Sequence, residues 1–276
     1  GWESSVFHAA TRCTPAAMTP FRNRGVFNIV LRRLSICAAF AAILLLSAAC
    51  ASVPLDSSWG AASLIGTTPD ILFAFGDRIV QINPVDGSLV QLLDAQGNVR
   101  SDDQGNPRRW RLQTTTNPLL HFYTQPVQLD DRTLLAAAYE NKLFEIDQAA
   151  ARIDNPEGAT LPGRVVGDPL LGDNLLYVPL SDDGLVALDA NTFNEVWRFA
   201  NAETKGVWAQ PLLVEDTLYV SGMNHFLYAL DAQTGEVRWQ LDLQGAVAST
   251  PVFANDALYI GSFARKVFKV TLDGTI

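Results

Sequence analysis

Residues 229–239 read ALDAQTGEVRW, and residues 187–197, forty-two positions earlier, read ALDANTFNEVW. Each string opens on Ala-Leu-Asp-Ala, carries Thr at its sixth position and ends on Trp at its eleventh. Working outward from them, four longer stretches align: 123–148, 166–190, 208–232 and 248–272. Their prolines, Pro126, Pro169, Pro211 and Pro251, are separated by 43, 42 and 40 residues. Asp147, Asp189 and Asp231 are spaced 42 and 42, and Thr271 takes that place forty later. One unit recurs along the chain, and such periods mark repeat architectures.

Each unit breaks at turn residues. Between 209 and 244 the pieces are QPLLVED, TLYVSGMN, FLYALDAQTG and EVRWQLDL. They are short and rich in β-branched and aromatic residues, as strands are. No helical period is sustained over three turns. Four short antiparallel strands in a unit of about 40 residues predict an all-β fold, a β-propeller of four-stranded blades. The rungs of a parallel β-helix are much shorter. Residues 64–276 are assigned to about five blades, the last stopping at VTLDGTI before a fourth strand. The expectation is an open piece of a larger propeller. The rival is a five-bladed ring in which residues 55–70 pair with 266–276.

The first unit is irregular. ILFAFGDRIVQINPVDGSLVQLL (71–93) supplies strands and a turn at Asp86-Gly87, but its Asn83 lies 64 residues before Asp147. The excess is assigned to a polar, turn-rich insertion at 94–115, read either as a hairpin projecting from a blade loop or as a longer connection.

Composition narrows the function. The chain is 48% hydrophobic and 18% charged, with 19 Gly and 14 Pro, which suits short elements joined by tight turns. Residues 1–49 carry net charge +4, so the remainder carries −13 of the total −9. A body that acidic excludes nucleic acid as a partner, because phosphates need a basic face. Cys13, Cys37 and Cys50 all precede the repeats, so the body has no disulfide framework and no cysteine-based zinc site.

The N-terminal segment reads as an address. Arg22, Arg24, Arg32 and Arg33 precede the apolar stretch Leu34–Leu46, and small residues follow. Basic, apolar and small in that order describes a secretory signal, and the apolar stretch is short for a membrane span of about 20 residues. Residues 1–17 are read as a non-native or read-through leader, 18–49 as the signal and 50–63 as a linker. LSAAC (46–50) resembles the lipobox of bacterial lipoproteins, with Ser47 where Leu is usual. The resemblance makes Cys50 the lipid attachment site and anchors the exported protein to the bacterial cell membrane or outer membrane.

The repeated string resembles the tryptophan-docking motif of quinoprotein-type (PQQ-like, also WD40-like) β-propellers, A-x-D-x-x-T-G-x-x-x-W. Ala229, Asp231, Thr234, Gly235 and Trp239 match, as do Ala187, Asp189, Thr192 and Trp197, with Phe193 in place of the Gly. Asp and Thr are expected to hydrogen-bond the turn between third and fourth strands, and Gly to supply a positive φ. The Trp is expected to pack against a neighbouring blade. The motif is therefore read as structural.

Catalytic residues are not expected. Quinone-dependent dehydrogenases of this fold resemble one another in an adjacent Cys-Cys disulfide, a Trp against the cofactor, and Asp, Glu and Asn around calcium. This body has no cysteine pair. Trp208 is read as a core or rim aromatic, and Asp182-Asp183 and Asp130-Asp131 as solvated turn residues. His121 and His225 lie at no metal-ligand spacing. No PQQ, calcium or other metal is expected.

Lipobox, repeat and missing cofactor residues together resemble the outer-membrane β-barrel assembly lipoprotein family. The resemblance implies a non-enzymatic, lipid-anchored scaffold that binds envelope proteins. The alternatives are a fragment of a PQQ-dependent dehydrogenase, marked by a downstream Cys-Cys pair, and a glycan- or small-molecule-binding surface propeller. Aromatic residues clustered on one face would mark the last.

Overall fold

The computed structural model describes residues 60–65, 70–114, 120–200 and 205–276. The chain divides into two compact units, Gly1–Leu55 and Asp56–Ile276, and every described residue belongs to the second. The leader, the signal and Cys50 lie outside the described residues.

Five sheets follow one another along the chain. Blade one comprises β1 (Ala61–Ile65), β2 (Asp70–Phe75), β3 (Arg78–Ile82) and β4 (Arg111–Gln113). Blade two comprises β5 (Val127–Gln128), β6 (Thr133–Ala138), β7 (Lys142–Asp147) and an outer edge split into β8 (Arg152–Ile153) and β9 (Ala159–Thr160), both paired with β7. Blade three comprises β10 (Leu170–Leu171), β11 (Leu175–Pro179), β12 (Leu185–Asp189) and β13 (Glu195–Phe199). Blade four comprises β14 (Leu212–Val214), β15 (Thr217–Ser221), β16 (Phe226–Asp231) and β17 (Val237–Asp242). Blade five comprises β18 (Val252–Ala254), β19 (Ala257–Ser262) and β20 (Lys266–Thr271). All pairings are antiparallel between chain neighbours, apart from the split edge of blade two.

The architecture is the β-propeller expected from the repeats. β1 pairs only with β2 and β20 only with β19 among the described residues, so the ring-closing pairing is absent there. Residues 61–63, assigned above to the linker, belong to β1, the inner strand of blade one.

The core lies between blades, not within them. Every residue of β11 is buried, yet Leu175 and Tyr177 pack in one cluster with blade four while Leu176 and Val178 pack in another with blade two. Successive side chains leave a strand on opposite faces, so a sheet sandwiched on both sides must be apolar at every position. That is why LLYV (175–178) and LYV (218–220) read as continuous apolar runs. Outer strands face solvent on one side and alternate, as β13 does with Trp197 and Phe199 inward.

Candidate functional site

At the seams the turn between third and fourth strands takes a fixed form. Asp231 Oδ1 accepts from the backbone N–H of Gln233 and of Thr234, each at 2.9 Å, and from the Thr234 hydroxyl at 3.2 Å. Asp189 Oδ1 does the same toward Asn191, Thr192 and the Thr192 hydroxyl at 3.1, 2.8 and 2.9 Å. Hydrogen bonds to the ionised form hold both carboxyls below the usual range, the Thr192 N–H being the main cause for Asp189 and the Arg238 guanidinium for Asp231. Phe193 and Gly235 both sit at positive φ, 57° and 73°.

The indole reaches across to the next blade. Trp197 Nε1 donates to Ala232 O at 3.2 Å, and Tyr177 Oη donates to the same carbonyl at 3.1 Å. Trp239 Nε1 donates to Leu272 O at 3.0 Å. A Cβ on Gly235 would stand 2.5 Å from Trp197 Cε3, and one on Gly274 would stand 2.9 Å from Trp239 Cδ2. The Gly of one blade is thus the floor on which the Trp of the preceding blade rests. Ala229 and Ala187 sit opposite Trp239 and Trp197 in the ladder, both fully buried.

A third docking Trp went unread in the sequence. Trp110 Nε1 donates to Gln148 O at 2.6 Å, and Gln148 follows Asp147 as Ala232 follows Asp231. Residues 110–113, counted above within the insertion, therefore belong to blade one, with 111–113 forming β4. Trp110 lies 27 positions after Asn83, where Trp239 lies eight after Asp231, and the long separation hid it. The local signal was RWRL (109–112) beside RWQL (238–241).

The true insertion, between Asn83 and Trp110, builds its own backbone support. The N–H of Gln81 donates to Trp110 O (3.3 Å), that of Trp110 to Val90 O (2.8 Å), and that of Val90 to Gln81 O (2.9 Å). One level further out, Leu92 donates to Arg108 O (3.0 Å), Arg108 to Arg100 O (2.8 Å) and Arg100 to Leu92 O (2.8 Å). Two closed three-membered rings of backbone bonds stack on each other, so an element with few buried side chains still satisfies its amides. Its tips are one seven-residue pattern used twice, eight positions apart and altered at two positions, DAQGNVR (94–100) and DDQGNPR (102–108). Asp94 Oδ1 takes the N–H of Gln96 and Asn98 at 2.9 and 2.8 Å, and Asp102 Oδ1 those of Gln104 and Asn106 at 2.9 and 2.8 Å. Gly97 and Gly105 both adopt φ 84°. Leu93 and Val99 pair on it and are 47% and 40% exposed. Between this hairpin and the turns of blade two runs an open groove of about 930 Å3, lined by Leu93, Asp94, Arg100, Asp130, Arg132 and Gln148 among others.

The remaining candidates fall apart in space. Asp130 caps its own turn through the N–H of Arg132 and Thr133, both at 2.8 Å. His121 meets Glu140 at 2.6 Å, and His225 occupies a turn at φ 84°. Asp182 and Trp208 converge on one cleft with Tyr123, Tyr139 and Arg164. Among the described residues no three His, Cys, Asp or Glu side chains form a metal-holding group. Asp168 accepts the N–H of Gln125 at 2.7 Å, and burial pushes its carboxyl up.

Blades, seams and inner prolines define a propeller of the PQQ-like repeat class. The family model described as outer membrane protein assembly factor BamB matches residues 86–207 and 181–276, most of the repeats. The chain belongs to that family. Among solved structures it is similar to BamB from Moraxella catarrhalis, with 14% identity, a TM-score of 0.53, and 78% of this chain and 74% of that one covered. It is also similar to Sqt1 from Saccharomyces cerevisiae, with 14% identity, a TM-score of 0.57, and 78% and 59% covered. At such identity the likeness is one of fold. No curated protein matches.

Proposed function

We propose that this chain is a non-enzymatic scaffold of the bacterial cell envelope that binds other envelope proteins during outer-membrane protein assembly. The family match across residues 86–276 carries the reading. The motif residues are spent on seams, where Trp197 and Trp239 bond to the next blade, an arrangement that serves the fold with or without a cofactor. On this reading the chain needs no PQQ, calcium or other cofactor. The lipid on Cys50 holds it at the membrane, and the rigid hairpin with its groove beside blade two is the docking element for a protein partner. Rigid blades leave such loops free to carry specificity.

Two experiments test it. The complete gene is expressed with Cys50→Ala and cells are fractionated; persistence of the variant in the membrane would remove the lipid anchor from the reading. The membrane-bound parent and a variant carrying residues 232–238 in place of 84–109 are then compared by affinity capture. The parent retains envelope proteins that the variant loses, and equal capture would remove the hairpin. Turnover of an alcohol with PQQ, calcium and a redox dye, above a protein-free control, would overturn the scaffold reading altogether.

A further inference from the structure

The turns joining second to third strands lie at the opposite end of each sheet from the inserted hairpin, as antiparallel alternation requires. There blades two and three, with the strand connection after blade three, enclose a cleft of about 370 Å3 lined by Tyr123, Tyr139, Arg164, Ser181, Asp182 and Trp208. Trp208 is 44% exposed, while its indole N–H donates to Ser181 O at 3.1 Å. The ring is fixed by its polar edge and stands partly open to solvent. Tyr123 and Tyr139 meet edge-to-face at 5.4 Å. The Arg164 guanidinium lies 5.5 Å from the Tyr139 centroid. Arg78, Arg152, Arg198 and Arg238 are engaged by carboxylates, but among the described residues Arg164 makes no ion pair. Asp182 takes the Arg164 backbone N–H on Oδ1 at 3.3 Å, and its other oxygen accepts no bond among the described residues.

We propose that this cleft binds a glycan through a neutral sugar ring. The apolar C–H face of a pyranose suits a fixed, open indole, and its neighbouring hydroxyls suit one donor fork and one carboxylate acceptor. An anionic ligand would face Asp182 and a cationic one Arg164. A neutral polyol uses both. The volume is at the lower end of small-molecule sites, about 300–1,000 Å3, and accommodates a short saccharide. A second cleft of about 330 Å3 shares Tyr123 and Trp208 and is lined also by Gln125, Asp168, Gln210 and Thr250. Its amide, carboxyl and hydroxyl groups extend the site for further sugar units, so the ligand is an oligosaccharide. These residues do not belong to the hairpin groove, so the inference does not depend on the scaffold reading.

The test is titration of the purified full chain with maltotriose and with tri-N-acetylchitotriose, read by calorimetry and by ligand-observed saturation-transfer NMR. At least one trisaccharide is expected to bind with a Kd of about 10 mM or tighter, and Trp208→Ala and Arg164→Gln each to weaken it by about tenfold or more. Trp208→Phe keeps an aromatic platform and is expected to retain most of the binding. Arg164→Gln alters an exposed side chain and leaves the fold intact, which thermal unfolding verifies. Absence of binding by both sugars, or equal binding by folded Arg164→Gln and Trp208→Ala variants, overturns the proposal. So does saturation by N-acetylphenylalanine alone, which would make the cleft a site for aromatic carboxylates.

Discussion

At the seam between blades three and four, Trp197 on an outer strand lies against Gly235 in the next turn. At the seam between blades two and three both residues are reversed in size. Opposite Glu145, where a docking Trp would stand, the chain carries Asp154, bonded to Arg152 at 2.8 Å. In the next turn, where Gly would stand, Phe193 packs against the cluster shared by those blades. Between blades one and two, Trp110 shares its cluster with Ala151, a small residue in the Gly position at φ 49°. One space has to be filled at every seam, and either partner supplies the bulk. Dense interiors tolerate neither a void nor an overlap there. The departure of ALDANTFNEVW from the motif is thus a compensation, tied to a blade whose own outer strand lacks Trp.

The largest expected effect comes from removing the bulk where it fits. Trp197→Ala should cost about 3–5 kcal/mol in urea unfolding, as for other large aromatic deletions in cores. Gly235→Ala should cost about 1–3 kcal/mol from overpacking, before the strain of its positive φ. In the double variant the overlap is gone, so the two losses should fall short of their sum, which a double-mutant cycle measures. Simple additivity would break the comparison.

At Phe193 the order reverses. Phe193→Ala removes a partly buried ring and should cost about 1–2 kcal/mol, less than a fully buried Phe. Phe193→Gly should be less harmful than Phe193→Ala by up to about 1 kcal/mol, because Gly accepts a φ of 57° without strain. If Gly is worse than Ala at 193, as at an ordinary site, the seam is not filled in the way described.

Trp110→Phe keeps most of the bulk and loses the bond to Gln148 O, so an unfolding loss of about 1–2 kcal/mol is expected. A silent substitution would detach Trp110 from the seam.

The smallest effect is electrostatic and lies in blade four. Arg238 bridges Asp216 at 2.8 Å and Asp231 at 2.7 Å. Its guanidinium, with Thr217, holds the Asp216 carboxyl down to about 2. A depressed carboxylate stabilises the folded state above its unfolded value, and that contribution disappears as pH falls through the folded one. Arg238→Gln should therefore lower the Tm slightly near neutral pH, and the difference should shrink as pH falls through about 2. A difference independent of pH would assign the loss to packing by the Arg238 stem.

The two ends of the sheets differ as well. At one end blade one's turn is expanded into a self-bonded hairpin whose repeated seven-residue pattern is visible in the residues once sought. At the other, ordinary turns converge on the Trp208 cleft, and nothing local announces it. Tyr123, Tyr139, Arg164, Asp182 and Trp208 are spread over 85 positions and come from several turns and connections.

The repeat, its division into strands and the Asp-Thr turn were legible because strand alternation and turn chemistry act over a few neighbouring residues. Asp231 accepts the backbone N–H of Gln233 and Thr234, and the Thr234 hydroxyl accepts that of Glu236, all within one turn, so the sequence by itself determined that geometry. It also determined that the blades would be sandwiched, since runs such as LLYV tolerate water on neither face. What lies across a seam was decided only by the tertiary structure. Gly235 is needed because a ring from the preceding blade approaches it, and Phe193 is tolerated because no such ring arrives. That requirement links positions 38 apart, from Trp197 to Gly235, and no local pattern encodes it. Trp110 was hidden for the same reason, its place in the ladder being set by backbone bonds to Gln81 and Val90 across an insertion that strand periodicity cannot span.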